Sequence, residues 1–362
     1  MAHYFRIYGF IYFFEDMIQG FYYSGVKILA KMAIRLIYHP IEINGRENIP
    51  VDSGRLIFTP NHQAAFLDAI LVAIFSSRPI YFLTRADVFV FPFKYFLQSL
   101  NMMPVYRRRD GYKTLSKNEA VFETCSRLLQ DDKPILLFPE ASQELVHYLR
   151  PLSRGLSRIA IKAQKDDERP LYIIPVGINF FHQLKGGCKL ILNFGKPIDV
   201  KQIMDQDETE HKQLNMIRDA CSVGIKEMLL IPENSEAYEN HQTYLNRNYN
   251  RLSFAELRKH IASGQKGELS PINLWYLALV SILSIPNLAF HVFSWLVVYL
   301  FVPDKTFQAS IKLSLIMFIY PFFLLVCYLW ICSVFGCSWA ILAVSGILLA
   351  FYLRMRFMKY VI

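Results

Sequence analysis

The chain has 362 residues, of which 53% are hydrophobic and 15% aromatic, so it is more apolar than an average soluble domain. Its formal net charge of +9 suits either a nucleic acid or an anionic membrane surface as partner. The apolar residues concentrate in the C-terminal tail and no nucleic-acid-binding module is recognisable, so we expect a globular part joined to a membrane part and no nucleic-acid partner.

Residues 1–40 form an N-terminal segment in which aromatic residues alternate with basic ones. Aromatic rings and basic stems suit the headgroup level of a bilayer, so we predict amphipathic helices that lie on the membrane surface. The alternative is a helix that packs on the globular core. Because Glu15 and Asp16 interrupt the apolar run and no small-residue cleavage site follows, we expect no cleaved signal peptide.

Residues 41–213 alternate between strand-like and helix-like runs, which predicts an α/β domain. Ligands of such domains gather at the carboxyl ends of the strands. The predicted strands are residues 55–59, 80–83, 105–107, 135–138, 171–180 and 190–194, and the predicted helices are residues 67–75, 112–130 and 157–164.

The rest of the chain divides into a polar part and an apolar part. Residues 214–270 are interpreted as a helical connecting region, and residues 271–362 as a helical membrane region. Three apolar blocks make up the membrane region: residues 274–302, 313–335 and 338–353.

The first apolar block, residues 274–302, is too long for one comfortable membrane span and too short for two, and Pro286 interrupts it. It either crosses the bilayer once or dips in and returns. A crossing would place Arg354 and Arg356 on the far side, against the tendency of basic residues to remain cytoplasmic. We therefore favour a re-entrant helical hairpin.

The six cysteines occur singly, without a Cys-x-x-Cys pair. Neither a disulfide framework nor a zinc site is indicated. We expect a domain that faces the reducing cytosol from the inner or cytoplasmic membrane, with no metal and no other cofactor.

A histidine and a carboxylate stand at a predicted strand-to-helix junction. His62 follows the strand-like run that ends near position 59, and Asp68 lies at the start of the next helix. Such a pair can act as a general base and the group that orients it. His62 is the candidate base, and Asp68 would fix its tautomer and stabilise the imidazolium.

This pair suits the transfer of an acyl group from a thioester to an alcohol. The attacking alcohol needs a base, the carbonyl oxygen needs hydrogen-bond donors as it gains charge, and a phosphate on the acceptor needs cations. Because a thiolate is already a good leaving group, neither a covalent enzyme intermediate nor a metal is required.

Two further segments offer cations and polar groups. Arg107, within the cluster 107–109, can grip phosphate oxygens with its planar fork; the alternative is a solvated or headgroup-binding patch. Glu140 can accept a hydrogen bond from a glycerol hydroxyl or orient an arginine, and Ser142 can donate to a phosphate or carbonyl.

Two more cations, Arg150 and Arg154, precede the predicted helix 157–164. The N-terminus of a helix itself favours anions. A phosphate-sized pocket is therefore expected near these arginines.

These segments resemble the four motif blocks of the glycerophospholipid acyltransferase superfamily, the enzymes that build phosphatidic acid. The blocks occur in the family's order over residues 61–176. They are Asn61-His62 with Asp68, then Pro104-Val105-Tyr106-Arg107, then Phe138-Pro139-Glu140-Ala141-Ser142-Gln143, and finally Ile174-Pro175-Val176.

The resemblance implies an acyltransferase-type α/β catalytic domain with roles for individual residues. His62 and Asp68 would be catalytic. The residues expected to bind substrate are Asn61, Arg107, Phe138, Pro139, Glu140, Ser142, Arg150 and Arg154.

The chain departs from the family pattern in two places. Five residues separate His62 from Asp68 where the family has four, and since neither spacing brings both residues to one face of a continuous helix, a turn must lie between them. Gln143 stands where the family usually has a phosphate-binding arginine, and Ala141 replaces a glycine. Arg150 or Arg154 is a candidate replacement for the missing charge.

The resulting hypothesis is a membrane-bound O-acyltransferase of the 1-acylglycerol-3-phosphate type. It would move a fatty acyl chain from acyl-CoA or acyl-carrier protein to lysophosphatidic acid and make phosphatidic acid, with the catalytic domain on the cytosolic face. Glycerol 3-phosphate, another lysophospholipid or an aminolipid are alternative acceptors. A non-catalytic lipid-binding membrane protein is the alternative from another class.

Overall fold

The computed structural model describes residues 2–91, 93–106, 117–165, 167–180, 182, 186–206, 208–264, 273–358 and 360–361. The strands are β1 (Ile41–Asn44), β2 (Leu56–Pro60), β3 (Tyr81–Arg85), β4 (Met102–Val105), β5 (Ile135–Leu136), β6 (Tyr172–Asn179), β7 (Leu190–Phe194) and β8 (Ile198–Asp199). The helices of the first two-thirds are α1 (Ala2–Ile37), α2 (Phe66–Phe75), α3 (Phe93–Ser99), α4 (Lys117–Gln130), α5 (Gly155–Lys165), α6 (Val200–Met204), α7 (Glu210–Glu227), α8 (Tyr238–Asn248) and α9 (Phe254–Ala262). The helices of the C-terminal region are α10 (Leu274–Ser284), α11 (Leu288–Phe301), α12 (Lys305–Ser314), α13 (Tyr320–Phe335) and α14 (Cys337–Met358).

One mixed sheet organises the fold, with strand order β1-β7-β6-β2-β5-β3-β4 and β8 paired to β6. The five strands from β6 to β4 in this order run parallel, whereas β7 is antiparallel to β6. Phe58 pairs with Leu136, so β2 and β5 end at the same edge of the sheet. The predicted α/β fold is confirmed, and the motif segments after β2 and β5 start at that shared edge.

Some elements differ from those predicted. The predicted helix 67–75 agrees with α2 to within one residue, but β4 ends at Val105, the position where the sequence placed its beginning. The strands β1 and β8 were not predicted. β1 is short and only half-buried, and therefore has a weak hydrophobic pattern.

Alternate residues of the central strands pack into two hydrophobic layers, as a pleated strand requires. Phe58 faces the layer that contains α1 and α2, and Ile57 faces the layer that contains α4, α5 and α7. The expected domain boundary at 213 falls inside α7, whose buried Ile217 packs in this second layer.

The N-terminal segment is one long helix, α1, rather than several. On its C-terminal half Ile34 and Ile37 are buried in the core, while Phe21, Ile28 and Met32 are exposed. The helix therefore combines the two arrangements considered from the sequence, because one face packs on the domain and the other presents apolar side chains outward. That this outer face lies on a membrane stays a prediction.

Within the described part of the chain, three helical segments are long and apolar enough to cross a membrane, judged by length and composition: Leu274–Phe301, Lys305–Phe335 and Cys337–Met358. They are not a separate body. Phe290, Leu313 and Phe351 are buried in the same hydrophobic cluster as Phe58 and α2.

The first of these segments turns back on itself at a 3₁₀ turn, Ile285–Asn287. Before the turn, α10 runs antiparallel to α14, since Tyr276 stacks on Tyr360 at 4.6 Å between ring centroids and Asn287 Nδ2 donates to the Ile347 carbonyl at 3.0 Å. After the turn, α11 runs antiparallel to the segment that begins with α12.

Two contacts fix the direction of α11. The Phe290 and Tyr320 rings are 4.8 Å apart, and Gln308 Nε2 donates to the Val302 carbonyl at 3.0 Å. α12 begins against the α/β domain, where Gln143 donates to Thr306. The chain thus follows the hairpin path favoured from the sequence, with both ends of the hairpin on the side of the α/β domain.

This path predicts the labelling of cysteines in sealed vesicles. In a background where the other native cysteines are replaced by alanine, a membrane-impermeant maleimide should label Asp304→Cys from the side on which the α/β domain lies. It should label the native Cys337, beside the far turn between α13 and α14, only from the opposite side. Labelling of both positions from one side would contradict the arrangement.

Candidate active site

Asn61 fastens the end of β2 to β6. It is buried, its Nδ2 donates to the Ile178 carbonyl at 3.1 Å, and its Oδ1 accepts from the Ile178 N–H at 2.7 Å. Both ends of the amide are therefore occupied by backbone. Asn61 thus contacts the protein backbone, whereas the sequence predicted a contact with substrate. This contact of Asn61 holds the chain just before His62.

The His62 imidazole and the Asp68 carboxylate are in direct contact. Nδ1 of His62 lies 2.9 Å from Oδ2 of Asp68, at a ring that keeps 13% of its side-chain surface exposed, whereas Asp68 is fully buried. The same oxygen accepts the N–H groups of Gln63 at 2.8 Å and Ala64 at 2.7 Å. With Nδ1 donating to the carboxylate, the proton-accepting nitrogen is Nε2.

The turn required between His62 and Asp68 is present, because α2 begins only at Phe66. Ala65, just before the helix, has φ 48° and ψ −130°, a combination that an L-residue rarely adopts. Such a backbone costs on the order of 1–3 kcal/mol and persists only where its surroundings hold it.

Phe138 sets the plane of the imidazole. Its ring stacks on that of His62 with 3.7 Å between centroids and 14° between planes. Phe138 follows β5, and the carbonyl of the next residue, Pro139, accepts the N–H of Ser153 at 2.8 Å. The third motif block is thereby held beside the histidine.

Glu140 joins the two motif loops. Its Oε1 accepts the backbone N–H of His62 at 2.9 Å and its Oε2 accepts Nε of Arg150 at 2.7 Å. Of the two roles considered from the sequence, the geometry matches the orientation of an arginine. Burial raises the pKa of the Glu140 carboxyl above its ordinary value, and the nearby Arg150 charge opposes that rise.

Arg150 in turn holds Ser142. Its guanidinium donates to Ser142 Oγ at 2.8 Å and also to the Ser142 carbonyl. Because Glu140 lies against the same guanidinium, much of the positive charge of Arg150 is balanced inside the protein. Arg154 is exposed just before α5, and among the described residues no hydrogen bond or ion pair links its side chain to the His62 loop.

Arg107 lies outside the described residues. The strand that leads to it, β4, ends at Val105, which pairs with Arg85, so β3 and β4 end at the same edge of the sheet. The backbone of Tyr106 is held by Asn118, whose side chain accepts from its N–H at 3.0 Å and donates to its carbonyl at 2.7 Å. Within the described part of the chain no group of three His, Cys, Asp or Glu is placed to hold a metal ion.

Two residues of α12 touch the motif loops, and the sequence analysis did not identify them. Ser310 Oγ donates to the Ala64 carbonyl at 2.7 Å and accepts the Leu67 N–H at 2.9 Å. Thr306 Oγ1 accepts Nε2 of Gln143 at 2.8 Å. A single sequence contains no local signal for contacts across so many positions.

A family model described as Acyltransferase matches residues 40–179, the stretch that carries all four motif blocks. Residues 40–179 form an acyltransferase domain. The resemblance found in the sequence is thereby confirmed.

Curated relatives of this acyltransferase domain carry related names. A 1-acyl-sn-glycerol-3-phosphate acyltransferase of Chlamydomonas reinhardtii is 30% identical over 129 residues, which are 35% of this chain and 36% of that protein. Chloroplastic proteins of the same name from Arabidopsis thaliana and Brassica napus are 24% identical over 153 residues, 42% of this chain. The matches thus span only 36% to 42% of the length of these relatives.

Among solved structures, the crystal structure of the 1-acyl-sn-glycerophosphate acyltransferase PlsC from Thermotoga maritima aligns with this chain. The sequence identity is 18% and the TM-score is 0.44, and the alignment covers 59% of this chain and 82% of that one.

The two contacts of Asn61 predict a structural effect of its replacement. Asn61→Ala leaves a buried N–H and carbonyl of β6 without their partner, so the free energy of unfolding should fall by about 1–3 kcal/mol. Denaturant unfolding in detergent measures this, with the exposed Asn240→Ala as control. A variant with unchanged stability but weaker acceptor binding would instead support the substrate contact predicted from the sequence.

Proposed function

We propose that the protein is a membrane-bound O-acyltransferase that transfers a fatty acyl chain from a thioester to the free hydroxyl of lysophosphatidic acid, producing phosphatidic acid. The observation that carries the proposal is the His62–Asp68 contact, with the imidazole stacked on Phe138 at the carboxyl edge of β2 and β5. The names of the acyltransferase relatives support this acceptor.

In the proposed reaction Nε2 of His62 takes the proton of the acceptor hydroxyl. At the same time the oxygen of that hydroxyl attacks the carbonyl carbon of the thioester. The new C–O bond forms, the C–S bond breaks, and the departing thiolate receives the proton from the imidazolium. Asp68 holds the ring in the required tautomer and stabilises its positive charge. Phe138 restricts rotation of the ring, which keeps Nε2 in one orientation.

The acceptor phosphate needs a cation whose charge is not already balanced by a carboxylate of the protein. Arg150 contacts both Glu140 and Ser142. We therefore propose that its main role is to hold the third motif block in place, and that it contributes less to phosphate binding. Arg107, at the family's position, is proposed as the main phosphate ligand, and the exposed Arg154 as an outer one. Gln143 offers a neutral amide in place of the family's arginine, so glycerol 3-phosphate, other lysophospholipids and aminolipids stay as alternative acceptors.

The donor is proposed to be acyl-CoA or acyl-carrier protein, and the location the inner or cytoplasmic membrane. The α/β domain would face the cytosol, because Arg354 and Arg356 end α14 on the side where that domain lies and basic residues favour the cytoplasmic side. An active site at the bilayer surface would meet its lipid acceptor already concentrated and oriented.

Replacement of the proposed base should stop the reaction. His62→Ala should reduce kcat by about 100- to 10,000-fold, since general base catalysis contributes that much, and Asp68→Asn should also lower kcat. The measurement is acyl transfer from a radiolabelled acyl thioester to lysophosphatidic acid by purified protein in mixed micelles. The exposed His211→Ala on α7 serves as the matched control.

Circular dichroism and thermal melting check that each variant is folded. Equal activity of the wild type and His62→Ala would reject the catalytic assignment. Lipid binding without any turnover by the wild type, across both donors, would favour the non-catalytic alternative.

A panel of acceptors tests the role of Arg107. Arg107→Ala should raise the apparent KM for lysophosphatidic acid by about tenfold or more, because a charge-assisted hydrogen bond to phosphate is lost, and leave the KM for the donor nearly unchanged. Acceptors without a phosphate should respond little to the replacement. An equal response of all acceptors would remove Arg107 from phosphate binding.

A further inference from the structure

Helix α12 lies against both places where the chain departs from the family pattern. Its Ser310 bonds to the turn that contains the additional residue between His62 and Asp68. Its Thr306 bonds to Gln143, the residue that replaces the family's arginine. α12 also begins the second apolar segment, Lys305–Phe335.

The contact of Ser310 is made deep inside the protein. Ser310 is fully buried, and its hydroxyl both donates to the Ala64 carbonyl and accepts the Leu67 N–H. These two residues enclose Ala65 and Phe66, and the Leu67 N–H also donates to the Ala64 carbonyl at 3.1 Å. Ala65, with φ of 48° and ψ of −130°, has a backbone that persists only where its surroundings hold it. Ser310 therefore bridges the two ends of the strained turn.

The strained turn is also part of the His62–Asp68 contact. The N–H of Ala64 donates to the same Asp68 oxygen that receives His62 Nδ1. Ala64 is thus held by Asp68 through its N–H and by Ser310 through its carbonyl. A shift of Ala64 would move the oxygen that orients the imidazole, and a misplacement of about 1 Å can cost about 100-fold in rate.

α12 is itself held firmly enough to act as a support. Ala309 and Leu313 are buried in the hydrophobic layer that contains α2, and the helix is capped by Asp304, which accepts the Thr306 N–H at 2.9 Å. Its position is therefore set by both the α/β domain and the apolar helices that follow it.

We propose that Ser310 is a positioning residue of the active site: it holds the strained turn between His62 and Asp68 and so links the seating of the C-terminal apolar helices to the orientation of the catalytic imidazole. Thr306 supports the third motif block in the same way through Gln143. The proposal rests on the acyltransferase function proposed above and adds to it a role for a helix outside the matched domain.

The test is a pair of serine replacements on one helix, made in the full chain. Ser310→Ala should lower kcat by about 10- to 100-fold while the KM values for donor and acceptor stay within about twofold. Ser314→Ala, whose hydroxyl bonds back to the Ser310 carbonyl inside the helix, should retain the kcat of the wild type. A kcat of Ser310→Ala equal to that of the wild type would overturn the proposal.

Relief of the strain supplies a second readout. Glycine adopts the backbone of Ala65 without the penalty of a Cβ, so Ala65→Gly in the Ser310→Ala background should restore kcat by at least fivefold. A kcat that Ala65→Gly fails to raise in the Ser310→Ala background would reject the positioning role, because the lost activity would then not pass through the strained turn.

If Ser310→Ala shows no cooperative melt, the half-buried Thr306→Val takes its place. Thr306→Val should lower kcat by about three- to tenfold through the Gln143 loop, and an unchanged kcat would overturn the proposal. The two proposals fail differently. An inactive wild type rejects the acyltransferase function, whereas an active wild type with fully active Ser310 and Thr306 variants rejects only the positioning role.

Discussion

The site depends on one buried carboxylate oxygen. Oδ2 of Asp68 collects three N–H donors, from the His62 ring and from the backbone of Gln63 and Ala64. Burying a charged carboxylate is costly unless such donors replace water, so the turn must fold around Asp68 even though Ala65 adopts an unfavourable backbone. The orientation of the imidazole and the start of α2 both follow from this arrangement, because Asp68 lies in the first turn of the helix, where a negative charge is favoured.

Local pattern was sufficient to predict the α/β class of the domain and the pairing of His62 with Asp68, since both depend on neighbours close in sequence. It was insufficient for Asn61, which was assigned to substrate, and for Glu140, for which it left open a contact with a glycerol hydroxyl or the orientation of an arginine. An amide or carboxylate at a strand end has the same chemistry whether its partner is a ligand or the protein. Only the fold places the Ile178 backbone against Asn61 and Arg150 against Glu140. The contacts of Ser310 could not be predicted from the sequence for the same reason.

The C-terminal region shows a related limit of prediction from sequence. Hydropathy identifies apolar blocks but does not separate a side chain that faces lipid from one that packs on protein. Phe290 and Phe351 belong to blocks identified as membrane-seeking and are buried with the core of the α/β domain. Asn287, at the turn of the hairpin, is fully buried, and its amide is satisfied by the Ile347 carbonyl and by the Tyr320 hydroxyl at 2.8 Å. An apolar environment requires such internal partners.

The contacts of α12 with the motif loops place the polar His62–Asp68 pair beside the start of an apolar helical segment. Ser310 and Thr306 lie in the first ten residues of the segment Lys305–Phe335 and contact the loops that carry His62 and Glu140. Under the proposed function, an acyl chain can remain among the apolar helices while its polar end reaches the imidazole. The Glu140–Arg150 pair beside the His62 loop adds little net charge to this site, because its opposite charges largely cancel at a distance of 2.7 Å.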